Sequence, residues 1–245
     1  MTGRRLAVAD LGTVPYAAAL DRQRSLAEER IAGRLPDDLL LLVEHPPVVT
    51  LGRGARGSSL PIAPDLLRRR GIEVFEIERG GDVTYHGPGQ LVGYPIFDLA
   101  QHRRDLHWFL RQIEEALIAA LGRFGIAGER REGYTGVWTG GASRKVASIG
   151  IHVRQWVTWH GFALNVTTDL TPFSLIVPCG IPDVVMTSVE RELGSAASGR
   201  DLGHEAREAV VEAFVRTFGF EGAAEAILPG VPDSTRAARI PTPGP

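Results

Sequence analysis

The chain contains a single cysteine, Cys179, and this limits how its fold can be stabilised. One thiol cannot form an internal disulfide, and it cannot build a thiolate zinc site. Stability must therefore come from buried apolar side chains. With 245 residues, of which 44% are hydrophobic, the sequence is long enough to build such a core as one large α/β domain or two small ones.

The charge and the apolar runs exclude some classes of function. A net charge of −2 and an isoelectric point near 6.4 argue against a nucleic-acid-binding surface. No apolar run approaches the ~20 residues that span a bilayer, and the run after Arg5 is too short for a signal peptide. We therefore expect a cytoplasmic protein that binds neither nucleic acid nor a membrane.

Hydrophobic periodicity predicts a succession of strands and helices. The helices are expected after Pro15 and over residues 64–70, 105–124 and 201–218. The strands are expected over residues 6–10, 39–43, 48–51, 72–77, 91–97, 133–138, 146–153 and 156–166. Pro95 places its strand at a sheet edge or a bulge. We expect one domain over residues 1–220 and a flexible tail over residues 221–245, which is rich in Pro, Gly and Ala near its end.

Two glycine-rich segments stand out between these elements. Residues 79–90 hold four glycines and a proline. This composition forbids a regular helix and indicates that the backbone lies close to another group. A long hairpin connection is the alternative, but Arg79, Thr84, Tyr85, His86 and Gln90 are costly choices for a connection, and binding groups are often carried on such loops. Residues 52–57 are glycine-rich and basic; as a phosphate-binding signal they are weak, because they lack the P-loop Gly-Lys-Ser/Thr.

Lys145 is the only lysine of the chain, since every other basic position is arginine. Arginine keeps its proton near neutral pH, whereas a desolvated lysine can release one, as a general base must. Cys179 lies between Pro178 and Gly180, where the backbone can turn sharply and leave N–H groups near the sulfur. The pair suggests a thiol nucleophile with an amine base. Alternatively, Cys179 is a small buried apolar residue and Lys145 a surface charge.

Several motifs together resemble the lipoyl(octanoyl) transferase family. They occur in the family's order and cover most of residues 6–218, whereas the chain after Phe218 carries no matching motif. The loop at residues 140–144 and Met186 depart from the family pattern in detail. The matching motifs are Arg79-Gly80-Gly81, Thr84-Tyr85-His86-Gly87-Pro88-Gly89-Gln90, Lys145-Val146-Ala147-Ser148-Ile149-Gly150-Ile151, Trp156-Val157-Thr158, His160-Gly161-Phe162-Ala163-Leu164-Asn165-Val166 and Ile176-Val177-Pro178-Cys179-Gly180-Ile181.

The resemblance implies a biotin/lipoate protein ligase-like α/β (α+β) fold, with a mixed, largely antiparallel sheet and packed helices. It implies transfer of an octanoyl or lipoyl group from octanoyl-acyl carrier protein to a lysine of lipoyl domains, as the first step of endogenous protein lipoylation. The acceptors would be 2-oxoacid dehydrogenase acyltransferase subunits and the glycine-cleavage H protein. In that family the cysteine matching Cys179 carries the acyl group as a thioester, and the lysine matching Lys145 assists it. No cofactor and no metal are expected.

The acyl pocket is expected from the glycine-containing segments of these motifs, because glycine permits close approach and an eight-carbon chain needs apolar walls. For His86 we favour a place in the pocket, for His152 a structural role, and for His160 both remain open. Gly180 and Gly81 are the candidate oxyanion donors. The predicted substrate-binding residues are Arg79, Gly80, Gly81, Asp82, Val83, Thr84, Tyr85, His86, Ser148, Ile149, Gly150, Gly161, Phe162 and Ala163.

Three alternatives remain at this point. An ATP-dependent lipoate or biotin ligase would share the fold, but its acyl-adenylate chemistry does not require a cysteine. A cysteine thioesterase would release free acid by means of a Cys-His pair, and no local Cys-His signature supports one. A carrier-binding module without activity would leave the isolated Lys145 and Cys179 unexplained.

Overall fold

A computed structural model describes residues 4–178, 181, 184–226 and 228. Its strands are β1 (Leu6–Thr13), β2 (Leu39–Glu44), β3 (Val48–Leu51), β4 (Glu73–Glu76), β5 (Val83–His86), β6 (Gln90–Ile96), β7 (Val137–Thr139), β8 (Arg144–Arg154), β9 (Val157–Asn165), β10 (Val185–Met186) and β11 (Ala223–Glu225). Its α-helices are α1 (Tyr16–Ile31), α2 (Pro64–Arg69), α3 (Leu106–Gly122), α4 (Val189–Leu193) and α5 (Leu202–Phe218).

The larger of the two sheets is mixed. Within the described chain it runs in the order β10, β8, β9, β6, β2, β1 and β11, and β7 also pairs with β8. The pairs β8–β9, β9–β6 and β6–β2 are antiparallel, whereas β10 pairs in parallel with β8, and β1 pairs in parallel with β2 and β11. The predicted mixed, largely antiparallel sheet with packed helices is confirmed.

Strand β2 shows how the sequence builds the core on both faces of this sheet. Its side chains alternate, so Leu41 packs in one apolar cluster with Ala27 of α1, and Leu40 packs in another. The second cluster contains Phe109 of α3 and Phe214 of α5. A strand covered on both faces needs a continuous apolar run, and that is the pattern of this segment.

The two long helices of the second cluster begin one residue after their predicted starts, which are the N-cap residues Asp105 and Asp201. The Asp105 carboxylate accepts the N–H of Trp108 at 3.0 Å, and Asp201 caps α5 by accepting the N–H of His204 at 3.0 Å. Helix α5 ends at Phe218 and is followed by Gly219, whose φ of 71° lies in the left-handed region that terminates many helices.

The smaller sheet, in the order β4, β3, β5, corrects one prediction. Residues 79–90 were predicted as a glycine-rich loop, but Val83–His86 is strand β5, which pairs antiparallel with β3. The segment begins with two β-branched residues and a tyrosine, which favour strands, but the glycines on either side of it mask that signal. The residues predicted to bind substrate are therefore held in part by a sheet.

Strand β6 is an interior strand, so the prediction of an edge at Pro95 is wrong. It lies between β2 and β9, with Pro95 opposite Leu40. On the β9 side the regular pairing stops at the Gly93–Phe162 pair, and the Pro95 carbonyl instead accepts the Thr158 hydroxyl at 2.8 Å. The predicted interruption of the ladder is present, and it accommodates a residue that has no N–H to donate.

The remaining differences are the ends of elements and the short elements α4, β10 and β11, which were not predicted. The strand predicted over residues 133–138 is only Val137–Thr139, preceded by a loop in which Gly133 and Gly136 have φ of 77° and 134°. Strand β11 pairs with β1 inside the segment predicted as a tail, and residues 227 and 229–245 of that segment lie outside the described residues. Among the described helices, none combines the length and the apolarity needed to cross a bilayer.

Candidate functional site

A cavity of about 190 Å³ lies between the two sheets. One wall comes from residues 79–86, which enter the smaller sheet as β5, and the other comes from β8 and β9 of the larger sheet. Lys145 lies on β8 and lines the same cavity. The predicted substrate-binding residues that line it are Arg79, Gly81, Asp82, Val83, Thr84, His86, Ser148, Ile149, Gly150, Gly161, Phe162 and Ala163.

Two predicted residues do not line the cavity. The N–H of Gly80 donates to the carbonyl of Ile151 at 2.9 Å, which ties the two sheets together beside the cavity. Tyr85 points away from it and packs edge-on against Phe173, with ring centroids 5.5 Å apart. Because side chains alternate along β5, Thr84 and His86 face the cavity while Tyr85 faces the core behind it.

Arg79 is a buried cation in the polar wall. Its Nη2 donates to the carbonyl and the hydroxyl of Thr50 at 2.7 and 2.9 Å, and its Nη1 donates to the Gly80 carbonyl at 3.1 Å. These bonds hold the chain of residues 79–82 against strand β3, and the side chain is only 8% exposed. A buried guanidinium needs such acceptors, since an unpaired buried charge is strongly destabilising.

The opposite wall contains glycines at positions where a side chain would not fit. A Cβ on Gly150 would lie 2.7 Å from the Gly80 carbonyl oxygen, and one on Gly161 would lie 1.9 Å from the Gly93 carbonyl oxygen. The Phe162 ring packs onto Gly93, where a Cβ would lie 2.1 Å from it. Glycine at these positions lets the backbones of neighbouring segments come close.

A buried hydrogen-bond chain links His86 to the strand that carries Lys145. His86 Nδ1 lies 2.7 Å from Gln90 Oε1, and Gln90 Nε2 donates to Asn165 Oδ1 at 2.9 Å. Asn165 Nδ2 donates to the Thr187 carbonyl at 3.0 Å, and the Thr187 N–H donates to the Lys145 carbonyl at 2.9 Å. The chain accounts for Gln90 and Asn165 of the sequence motifs as groups that orient the site from behind.

The histidines of the cavity are uncharged at neutral pH. Burial, and after it the neighbouring His45, lowers the pKa of His86 to about 3. Burial likewise lowers the pKa of His160, against the opposing effect of Glu78. His160 Nε2 lies 3.7 Å from Glu78 Oε1, beyond hydrogen-bond distance, so within the described residues this nitrogen has no hydrogen-bond partner. Its role in the cavity is that of a neutral polar group.

His152 does not line the cavity, which agrees with the structural role favoured for it. Its Nδ1 lies 3.1 Å from the Glu78 carbonyl oxygen, and its ring centroid lies 4.2 Å from that of Trp159.

The basic glycine-rich loop of residues 52–57 also has a structural role. The N–H groups of Gly52, Arg53 and Gly54 already donate to carbonyls of residues 79–82, so they are not open to a phosphate.

Lys145 is buried, with 1% of its surface exposed. Its Nζ donates to the Thr135 carbonyl at 3.2 Å and lies 5.2 Å from the centroid of the Trp138 ring. Along β8 it is opposite Trp138 of β7 and Met186 of β10. The prediction that this lysine is more than a surface charge agrees with its burial in the cavity wall.

Cys179, the predicted nucleophile, and Gly180, a predicted oxyanion donor, lie outside the described residues. The described residues on either side of them are Pro178, which is buried, and Ile181, which lines the cavity. The N–H of Ile181 donates to the Pro178 carbonyl at 3.0 Å. Gly81, the other oxyanion candidate, lines the cavity with a φ of 85°.

Several cavity residues were not among those predicted. Tyr16 and Val92 carried only the signal of an amphipathic helix or an apolar strand, and residues 133–135 were assigned to a strand. His160 was named in the sequence without a settled role. The further lining residues are Tyr16, Val92, Tyr94, Gly133, Tyr134, Thr135, His160 and Ile181.

Comparison with known proteins identifies the family. The profile of the lipoyl protein ligase A/B catalytic domain matches residues 15–218. The chain belongs to this family. It is 50% identical over 220 residues to a protein of Gloeobacter violaceus named octanoyltransferase, covering 89% of this chain and 93% of the relative. An octanoyltransferase of Solibacter usitatus is 48% identical over 227 residues, covering 93% and 97%.

Solved structures of ligases share the fold. A lipoate-protein ligase A bound with ATP superposes with a TM-score of 0.66 at 18% identity, covering 94% of this chain and 90% of that one. The bipartite lipoate protein ligase of Thermoplasma acidophilum gives 0.66 at 19% identity, covering 94% and 88%. The predicted family, the ligase-like fold and the class of enzyme, an acyltransferase that moves octanoyl groups in protein lipoylation, are confirmed.

Proposed function

We propose that the chain takes an octanoyl group from octanoyl-acyl carrier protein, holds it as a thioester on Cys179, and passes it to a lysine of a lipoyl domain. One observation carries the proposal. The only lysine of the chain is buried in the wall of a cavity, and Ile181, two residues beyond the only cysteine, lines that cavity. The position of Ile181 supports our proposal that the Cys179 thiol acts together with Lys145 at this cavity.

The first half of the reaction forms the acyl-enzyme. The Cys179 thiolate attacks the thioester carbonyl of the donor, and collapse of the tetrahedral oxyanion expels the carrier's thiolate. A thioester is exchanged for a thioester, so the step needs no ATP. Gly81 and Gly180 are the candidate N–H donors to the oxyanion.

The second half forms the product amide. The acceptor's neutral lysine amine attacks the Cys179 thioester, loses a proton, and releases the Cys179 thiolate. The role proposed for Lys145 is to favour the thiolate by its charge or to take these protons in turn. His86, with a pKa of about 3, is a poor proton acceptor near neutral pH, so it hydrogen-bonds to Gln90 rather than serving as the base.

The two walls suit an acyl chain that is anchored at one end. Val92 and Ala163 supply apolar surface, and the glycines at 81, 150 and 161 add backbone to the lining. The predicted substrate-binding set therefore stands as a proposal for these residues, with Gly80 and Tyr85 supporting the walls from behind.

The proposed acceptors are lipoyl domains of 2-oxoacid dehydrogenase acyltransferase subunits and the glycine-cleavage H protein. This assignment rests on the octanoyltransferase relatives and on the lipoylation family to which the chain belongs. The cytoplasmic location also stays a prediction.

Transfer without nucleotide tests the proposal against the ligase alternative. Octanoyl-carrier, a purified lipoyl domain and the enzyme are incubated after ATP has been removed with apyrase, and octanoylated lipoyl domain is measured by mass spectrometry. Product should accumulate at the same rate with and without ATP, and Cys179→Ala should form none. A strict requirement for ATP, or full activity in Cys179→Ala, would contradict the proposed route.

A further inference from the structure

Glu114 is a buried carboxylate that none of the catalytic assignments above uses. It lies on α3 with none of its surface exposed, although glutamate is rarely buried without a specific partner. Its Oε2 accepts Arg111 Nη1 at 2.6 Å and Arg130 Nε at 3.1 Å. Its Oε1 accepts the N–H of Gly136 at 3.0 Å.

The Gly136 N–H belongs to the same peptide group as the Thr135 carbonyl, which accepts Lys145 Nζ at 3.2 Å. A trans peptide is planar, and its N–H and C=O point in opposite directions. Glu114 therefore holds one side of this peptide while Lys145 bonds the other. The carboxylate fixes the direction of the carbonyl that Lys145 Nζ meets, and the two bonds polarise each other through the amide.

Gly136 leaves little freedom in this arrangement. Its φ of 134° is one that other residues rarely adopt, and a Cβ there would lie 2.8 Å from Lys145 Cε and 3.2 Å from Nζ. The lysine side chain thus packs directly against the peptide that Glu114 orients. A small rotation of that peptide would move the Thr135 carbonyl and, with it, the ammonium group.

We propose that Glu114 is a positioning residue for Lys145, acting through the Thr135–Gly136 peptide. The proposal rests on the role proposed above for Lys145 and adds how the amine is held in place. A carboxylate is required because donors meet it from both sides. The single oxygen of a glutamine could not accept both the arginines and Gly136, so one of them would face the amide NH₂.

The test is a double-mutant cycle on the alkylation rate of Cys179 by iodoacetamide, which is measurable in variants that no longer transfer. The four proteins are the wild type, Lys145→Ala, Glu114→Gln and the double variant. We expect Lys145→Ala to slow alkylation about tenfold and Glu114→Gln about three- to tenfold, since displacement of a catalytic group by ~1 Å can cost up to 10²-fold. The double variant should match Lys145→Ala within about twofold, because both changes remove the same interaction.

Glu115→Gln is the matched control. Glu115 is the next residue on α3 and binds the same Arg130 at 2.7 Å, but its side chain is half exposed, with 53% accessible, and it has no bond to Gly136. It should leave the alkylation rate unchanged. If Glu114→Gln melts too low to assay, Glu114→Asp keeps the charge and both oxygens but ends ~1.5 Å short of Gly136, and it should show the same epistasis.

The outcomes separate the two proposals. A normal rate in Lys145→Ala would remove the lysine's role and the positioning inference with it. A slow Lys145→Ala combined with a normal Glu114→Gln would overturn the positioning inference alone. Effects that multiply in the double variant would show that Glu114 acts on the site independently of Lys145, and they would also overturn it.

Discussion

The two walls of the cavity are built in different ways. The wall of residues 79–86 places polar side chains out of water, and each of Arg79 and His86 has a partner behind it, Thr50 and Gln90. The wall of β8 and β9 brings backbone close, and it does so through the missing side chains of Gly150 and Gly161. The polar wall is thus maintained by hydrogen bonds and the other by close packing, so substitutions should damage them in different ways.

The largest expected effect concerns Lys145, the one charged group that lines the cavity from β8. Lys145→Ala should lower octanoyl transfer by on the order of 10²-fold or more, the usual contribution of a positioned acid–base group. Lys145→Arg separates charge from proton transfer, because arginine keeps the charge but cannot accept a proton near neutral pH. If the lysine is a base, Lys145→Arg should lose activity as severely as Lys145→Ala.

Because Gly136 packs on the lysine side chain, a bulkier guanidinium could also displace the loop. Alkylation rates of Cys179 across pH in both variants control for this. A near-normal transfer rate in Lys145→Arg would refute the base role and leave only the charge.

Substitutions in the closely packed wall of β8 and β9 should lower the stability of the fold. Gly150→Ala forces a Cβ to within 2.7 Å of the Gly80 carbonyl oxygen, and Gly161→Ala to within 1.9 Å of that of Gly93. Each should lower the free energy of unfolding in urea by about 1–3 kcal/mol, as overpacking does, with Gly161→Ala the worse because its Cβ would come closer to the backbone. Gly122→Ala at the end of α3 has open space around it and should raise stability by up to ~1 kcal/mol. Equal effects at all three positions would contradict the packing account.

In the polar wall of residues 79–86, the stability that His86 contributes should depend on pH. The fold holds His86 neutral, with its pKa at about 3 against 6.5 for a free histidine, mainly through burial. The stability that the neutral His86 contributes to the fold is complete well above pH 6.5 and is lost as the pH falls from there towards 3. Between pH 6.5 and 5.5 the wild type should lose about 1 kcal/mol of stability that His86→Gln does not lose.

The comparison for this smaller effect is His204→Gln, which changes a half-exposed histidine on α5. Urea unfolding at a series of pH values gives, for each protein, the slope of the free energy of unfolding against pH. If His86→Gln keeps the wild-type slope while His204→Gln loses it, the neutral buried state of His86 is not what the fold depends on.

The sequence predicted helices α1, α2, α3 and α5, because they follow from local patterns, whereas the short helix α4 was not predicted. The caps Asp105 and Asp201 are read directly from residue type, and Gly150 and Gly161 belong to motifs whose glycines indicate close approach. The strand Val83–His86 was missed because the flanking glycines dominated its local pattern.

The site was only partly predictable for a different reason. Tyr16 and Thr135 reach the cavity from elements distant in sequence, and nothing in a helix face or a loop indicates which cavity it will border. Nothing in the sequence of α3 distinguishes Glu114 from its exposed neighbour Glu115, and its bond to Gly136 joins it to a distant loop. Such assignments need the tertiary structure, because they rest on contacts between distant segments.

The most direct test of the central claim is intact-mass measurement of the enzyme after incubation with octanoyl-carrier alone. The account predicts one added octanoyl group, removed by hydroxylamine as a thioester is, and mapped to Cys179 by peptide analysis. Lys145→Ala should acquire it more slowly, and Cys179→Ala should not acquire it at all. An adduct of the same mass on Cys179→Ala would contradict the account.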